Sequence, residues 1–367
     1  MPSRLALLFV MLFAGAACAA GARDGVGAID EASTIHVTSK LASGPGSLRE
    51  AIEVANESTK AARIVSDLDD GAVVYVFREM PAVTGFGTEL DLTGLTLKGG
   101  SCRRADGRKG CSGLVIAGPR VRVRGLSATG FLFDGISVRG GALDVRIEEC
   151  HAHGNQDDGV GISGGATGVV VESCLLENNG FRTKGKGILV FDYSEAVLRD
   201  NTVRSNRDGV TVSRGARARL TGNRIVDNFD KGFGVIGAEA SGSGNIIARN
   251  GLTGPEGKGG PNADGVRVTA DSTLELTDTT ITDNGDVGLV VTGMSSVSLT
   301  GGRIGSNRGG GVNVRDNALV ELRGVDVGSN GRGEFSIEGQ GRLVRTGSDD
   351  EAYEAYEAAA SPSLVLD

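Results

Sequence analysis

From residue 135 onward, apolar and polar positions follow one another in a short recurring pattern. In DGVTVSRGARARLTGNRIVDN (208–228) the runs GVTV, ARL and RIV are separated by corners rich in Gly, Asn and Asp. Apolar residues alternate within each run, and this period of two predicts strands rather than helix. The unit returns as DGISV, DGVGI, KGILV, DGVTV, KGFGV, DGVRV, VGLVV and GGVNV. These place Gly135, Gly159, Gly187, Gly209, Gly232, Gly265, Gly288 and Gly311 in one column. Asn155, Asn179, Asn206, Asn228, Asn250, Asn284, Asn307 and Asn330 form a second column. GLVIAG from Gly113 and GEFSIEG from Gly333 extend the pattern at both ends.

Three short strands in a unit of about two dozen residues predict a right-handed parallel β-helix, an all-β solenoid of about ten coils. The leucine-rich-repeat signature is absent. Val, Ile and Leu then stack inward, coil on coil at roughly 4.8 Å. The corner glycines are expected to supply positive φ, and each Asn to hydrogen-bond its counterpart one coil away. Cys150 and Cys174 fall at equivalent places of neighbouring coils, in a column continued by Asn201, Asn223 and Asn245. A buried stack of small side chains is preferred there over a disulfide.

Open coil ends expose strand edges and need covering. GPGSLREAIEVANES (44–58) predicts an amphipathic helix with Leu48, Ile52 and Ala55 on one face, and Ser47 and Glu50 as a capping box. The expected organisation is an export signal over 1–19, a flexible stretch over 20–33, a helix-bearing N-terminal cap over 34–87, the β-helix over 88–346 and an acidic tail over 347–367. Within that tail, SDDEAYEAYEAAA (348–360) reads as a second helical segment, either covering the last coil through Tyr353 and Tyr356 or left disordered.

Composition sharpens the class. The chain has 367 residues, 60 of them Gly, no Trp and a net charge of -8. Asp349, Asp350, Glu351, Glu354, Glu357 and Asp367 account for -6 of this, leaving -2 for the rest (-8 minus -6). A near-neutral body offers no electrostatic footprint for nucleic acid. Arg4 followed by LALLFVMLFAGAACAA (5–20) reads as a secretory signal ending at ACA, with lipidation at Cys18 as the alternative. No later segment is apolar enough to span a membrane, so the protein is expected to be secreted or periplasmic, and a monomer. Export permits disulfides, and Cys102 and Cys111, bracketing RRADGRKG, are expected to close that loop.

Two coils carry extra residues, NGFRTKGKG (179–187) and NGLTGPEGKGGPNADG (250–265), both between the Asn and Gly columns. Both therefore emerge on one edge, where loops on a rigid scaffold commonly carry function. The residue before each corner Gly reads Asp134, Asp158, Lys186, Asp208, Lys231, Asp264, Val287 and Gly310, with Asp157 beside Asp158 and Arg182, Lys184 and Arg207 close by. As an alternative to a site, Asp-Gly is ordinary turn chemistry, and stacked Asp and Lys make an ion-pair ladder that fixes register.

The cap stretch VTSKLASGPGSLREAI followed by such coils resembles exported bacterial β-helix proteins, and the coils resemble the pectate lyase and polygalacturonase superfamily over roughly residues 35–346. NQDDG (155–159) is similar to the NQDDC element of polygalacturonases, and FDGISV (133–138) retains Asp134 and Gly135 of their NTDG element. The GHG element is missing, NNG (178–180) standing in its place, and FRTKGKG only weakly echoes RIK. His151 and His153 are expected at the same corner as the acid pair. The resemblance implies a groove for an acidic polysaccharide with Asp134, Asp157 and Asp158 as catalytic candidates, to which the edge ladder adds Lys186 and Asp208. Arg182, Lys184, Arg207, Lys231 and Asp264 are the substrate-binding candidates. Lyase chemistry fits better than hydrolysis: β-elimination on a uronate needs a base and a cationic clamp, and Ca²⁺ on Asp157, Asp158 and Asp208 is the metal option. The competing classes are a non-catalytic surface or scaffold β-helix and, more weakly, a periplasmic copper-assembly accessory, for which Met- and His-rich clusters are lacking.

Overall fold

The computed structural model describes residues 33–103, 106–107, 109–181, 185–252 and 262–347, and the backbone of 353–357. Each coil contributes three short strands, as in Asp208–Ser213, Arg217–Thr221 and Arg224–Val226. Successive coils stack these strands into three sheets, of fourteen, eleven and ten strands among the described residues. The first sheet begins at Ser33–Val37, the second at Ala72–Tyr75 and the third at Leu114–Ile116. Coil-to-coil pairing is parallel and in register throughout, so one inward column runs Ile136, Val160, Ile188, Val210, Phe233, Val266, Leu289, Val312. All eight are buried, and each contributes roughly 1.5–3 kcal/mol of apolar burial.

The Asn column is a continuous hydrogen-bonded ladder between the second and third sheets. Asn179 Oδ1 accepts the Asn155 amide at 3.1 Å and its Nδ2 at 3.0 Å, and Asn206 Oδ1 does the same for Asn179 at 3.0 and 2.9 Å. The remaining side-chain proton goes back to a carbonyl of the previous coil, as from Asn206 Nδ2 to Leu176 O at 2.9 Å. The Gly column serves this ladder. Its members do not have positive φ, contrary to the expectation. A Cβ at Gly159, Gly187 or Gly232 would instead lie 2.8, 2.7 or 2.5 Å from the Nδ2 of Asn179, Asn206 or Asn250. Positive φ is needed elsewhere: just before the ladder Asn, at Asn178, Ser205 and Asp227, and one bend earlier, at Glu149, Ser173 and Asp200 and at Gly222 and Gly244. Immediately after that bend, the Cys174 thiol accepts the Cys150 amide at 3.3 Å, and Asn201 and Asn223 continue the column. Cys150 and Cys174 are free and buried. Hydrogen bonding to Cys174 and burial together push the Cys150 thiol well up. Cys102 and Cys111 are disulfide-bonded, with Cα atoms 5.9 Å apart.

The helix Leu48–Glu57 is capped by Ser47, whose hydroxyl accepts the Glu50 amide; Glu50 in turn takes the Gly46 amide. Leu48, Ala51, Ile52 and Ala55 are its buried face. No helix among the described residues is long and apolar enough to cross a membrane. The expected C-terminal helix is a correction: Tyr353–Glu357 is a strand, antiparallel to Arg342–Thr346. The last strand of the first sheet has unpaired peptide groups on its outer edge, and an antiparallel strand satisfies them where an isolated polar helix would not. The rest of 348–360 lies outside the described residues.

Asn206→Ala should cost about 2–4 kcal/mol, because several buried ladder groups lose partners at once. Arg217→Ala, which removes exposed ion pairs to Glu195 and Glu239, should leave stability close to that of the wild type. Urea unfolding of both variants checks the contrast; equal losses would remove the ladder from its central place.

Candidate functional site

On the third sheet, side chains that do not enter the core face outward. The residues preceding the Gly column stand at the edge of this face, held in line by coil-to-coil bonds such as Gly135 N to Asp158 O and Gly159 N to Lys186 O, both 2.9 Å.

The acidic end is built from Asp134, Asp157 and Asp158. Asp158 is buried, and its Oδ1 accepts the Lys186 amide at 2.7 Å. Burial, then Asp134 and Asp157, push its carboxyl well above the ordinary range. Asp134 is half-buried and raised to about 6, first by burial and then by Asp157, against the Ser137 hydroxyl, the Asp158 amide and Arg139. Its carboxyl leans across Gly161, where a Cβ would come within 2.8 Å of Oδ2. The Asp157 backbone abuts Gly185, where a Cβ would lie 2.4 Å from the Asp157 carbonyl carbon. The acid pair and the end of the first insertion therefore share one edge. Arg182 and Lys184 lie outside the described residues.

Two coils on, Lys231 Nζ and Asp208 Oδ2 form a buried ion pair at 2.8 Å. Both line a cleft of about 370 Å³ together with Lys186, Arg207 and Thr211. Arg207 lies over the Phe229 ring at 5.8 Å, and Phe229 meets Phe181 edge-on at 6.4 Å. Phe191, also in the cleft lining, carries Arg214 at 5.0 Å. Sequence reading missed these aromatics, although Phe181 and Phe229 closely follow Asn179 and Asn228, where the chain leaves the ladder toward this face. Asp230 Oδ1 accepts the Asn262 amide at 2.7 Å, holding the returning end of the second insertion. Asp264 is buried against Arg267, with Nε to Oδ2 at 2.8 Å, and receives the Val287 amide at 3.3 Å. Burial raises its carboxyl, with Arg267 opposing.

The carboxylates proposed for Ca²⁺ do not converge. Asp208 holds the Lys231 ammonium and Asp158 the Lys186 amide, and among the described residues no group of three or more His, Cys, Asp or Glu is placed to hold a metal ion. His151 and His153 belong to the strand His151–His153 of the second sheet rather than to the acid corner. Their rings stack at 4.2 Å, and His151 Nε2 contacts Glu177 at 3.0 Å. The strand period carries them there: outward positions two apart on His151–His153 fall beside Glu177 and Thr129 of adjacent coils. A larger concavity of about 680 Å³ lies on the first sheet, lined in part by Glu195, Arg217 and Glu239. Arg217 is there paired with both acids, and Arg219 and Glu275 also line this surface.

The sequence matches the family model for the right-handed beta helix region over residues 110–252 and 239–349. No curated protein matches it. Among solved structures it is similar to the A-module of a mannuronan C-5 epimerase from Azotobacter vinelandii, with a TM-score of 0.58 and 15% identity over 86% of this chain and 89% of that one. It is also similar to the catalytic domain of a GH87 alpha-1,3-glucanase in complex with tetrasaccharides, with a TM-score of 0.57 and 10% identity over 84% of this chain and 66% of that one. At these identities the likeness is one of fold.

The raised Asp134 carboxyl has a signed consequence. Its stabilising contribution is complete below the ordinary value of 3.8 and is lost as pH rises through about 6, because the native state then holds the proton more tightly than the unfolded one. Stability of the wild type relative to Asp134→Asn should fall between about pH 4 and pH 7, by up to about 3 kcal/mol. Unfolding of both proteins across that range gives the difference curve; a flat or rising curve contradicts the assignment.

Proposed function

Because the chain belongs to the right-handed β-helix family, we propose that it is an exported protein that recognises an acidic polysaccharide along the outer face of its third sheet. The observation that carries this reading is the cleft in which Lys186 and Arg207 stand on consecutive coils beside the Lys231–Asp208 ion pair and Asp230. A uronate chain presents carboxylates at regular intervals, and a stack of coils presents cations at regular intervals. Phe191 on the lining and the Phe181–Phe229 pair beside Arg207 add apolar ring surface suited to sugar faces. Support of a general kind comes from the neighbours, named for action on mannuronan and on a glucan. The apolar leader at the N-terminus supports export.

Cleavage by β-elimination is the second reading, favoured by the Asp134 carboxyl near 6. A carboxylate of that strength is a competent base at neutral pH for the proton next to a uronate carboxyl. The cations of the cleft would neutralise the carboxylate as charge builds on it, and a water molecule would supply the proton to the leaving oxygen.

Arg207→Ala should weaken binding of a polyuronate oligosaccharide by roughly tenfold, the worth of one charge-assisted contact, and raised salt should weaken the wild type further. Isothermal titration with polyuronate and with a neutral glucan checks it, alongside ultraviolet absorbance for unsaturated chain ends. Binding that is unchanged in the variant and indifferent to salt overturns the acidic reading. Binding without unsaturated ends leaves recognition and removes elimination.

A further inference from the structure

The floor of the cleft holds two buried polar atoms that have no partner among the described residues: Asp208 Oδ1 and Thr211 Oγ1. Asp208 is 6% exposed and Thr211 3%. Both belong to the strand Asp208–Ser213 and both line the same cleft. Such atoms normally find partners, and an unmet one is costly. The other Asp208 oxygen is taken by Lys231 at 2.8 Å. That contact is itself arranged: Lys231 lies across Gly234, where a Cβ would come within 2.8 Å of Lys231 Cε and 3.6 Å of Thr211 Oγ1. Lys231 and Thr211 therefore reach the same spot, and the missing side chain at 234 leaves room for it.

The chemistry of the open atoms selects what can fill them. A carboxylate oxygen only accepts, so its partner must donate; a hydroxyl oxygen donates or accepts. A second carboxylate would face Asp208 with like charge. A sugar hydroxyl meets both demands, and a neighbouring hydroxyl on the same ring can serve Thr211. We infer that Asp208 and Thr211 form a hydroxyl-reading subsite on the cleft floor, positioned by Lys231 and Gly234, which binds adjacent hydroxyls of one sugar unit. In the acidic-polysaccharide reading, on which this rests for the identity of the chain but not for the hydroxyl contact, the carboxylate of the bound unit then turns toward Arg207 and Lys186 instead.

Titration of the full chain with an alginate oligosaccharide and with a neutral glucan oligosaccharide tests it, in the wild type, Asp208→Asn, Thr211→Val and Gly234→Ala. Thr211→Val should keep or raise the thermal midpoint, since it removes an unmet hydroxyl, yet weaken glycan binding several-fold; Asp208→Asn and Gly234→Ala should weaken it roughly tenfold. Alginate binding weakened in this way supports the subsite and the acidic reading together. Glucan binding weakened in this way, with no alginate binding, supports the subsite and overturns the acidic reading. Variants that bind either glycan as tightly as the wild type overturn the subsite, as does a lowered midpoint for Thr211→Val. A wild type that binds neither glycan overturns both.

Discussion

Everything in this fold hangs on the amide of one asparagine reaching the amide of the next. In each coil the bend before the third sheet would strand backbone N–H groups away from water. The Asn side chain of the following coil accepts them, as Asn206 does for Asn179, and buried groups of this kind are costly when unmet. The ladder admits one spacing only, so it fixes register as well as stability. The Gly column is its steric counterpart: with a side chain at Gly209 the Asn228 amide, 2.9 Å from the would-be Cβ, has nowhere to sit. Apolar stacking supplies most of the burial free energy and resists a one-residue slip; the ladder also excludes a slip of two, which the alternation alone would allow.

Fixed register turns a repeat into a surface with addressable positions. Residues preceding the Gly column come to one edge, and the outward positions of the third sheet form the face beside them. Two of those outward positions are glycines with a different purpose. Gly161 makes room for the Asp134 carboxyl and Gly234 for the Lys231 side chain. Both fold a charged group over the sheet rather than into solvent. The result is two unlike charge environments on one face: carboxyls raised by burial at Asp134 and Asp158, and an ion pair with open valences at Asp208.

The solenoid was legible because its period, its inward Val and Ile columns and its Asn column are all local in sequence. So were the helix, from its Ser47–Glu50 signature, and the free state of Cys150 and Cys174, from their place in a column of Asn. The role of the corner glycines was not, because a close approach from the next coil and a positive φ leave the same letter in the sequence. His151 and His153 were expected at the corner because they precede it in sequence; strand alternation turns them onto the second sheet, against Glu177 and Thr129. The C-terminal segment has helical composition, yet an open sheet edge at Arg342–Thr346 captures Tyr353–Glu357 as a strand. At the candidate site, Lys186, Arg207, Asp208 and Lys231 could be selected from the repeat alone and do line one cleft. What the repeat could not reveal was which are exposed and which are consumed by neighbours: Asp264 by Arg267, Asp158 by a backbone amide. Burial depends on side-chain direction across coils, which a one-dimensional pattern does not encode.

The central claim is that the ladder-aligned face of the third sheet, and not the larger concavity of the first, is where a glycan binds. Amide hydrogen exchange followed by mass spectrometry, with and without saturating polyuronate oligosaccharide, tests it most directly. The account predicts slowed exchange in Lys186–Phe191, Asp208–Ser213 and Phe233–Ile236, which form the third-sheet strands beneath the cleft. Slowed exchange confined to Glu195–Arg199, Arg217–Thr221 and Glu239–Ser243 on the first sheet would contradict it.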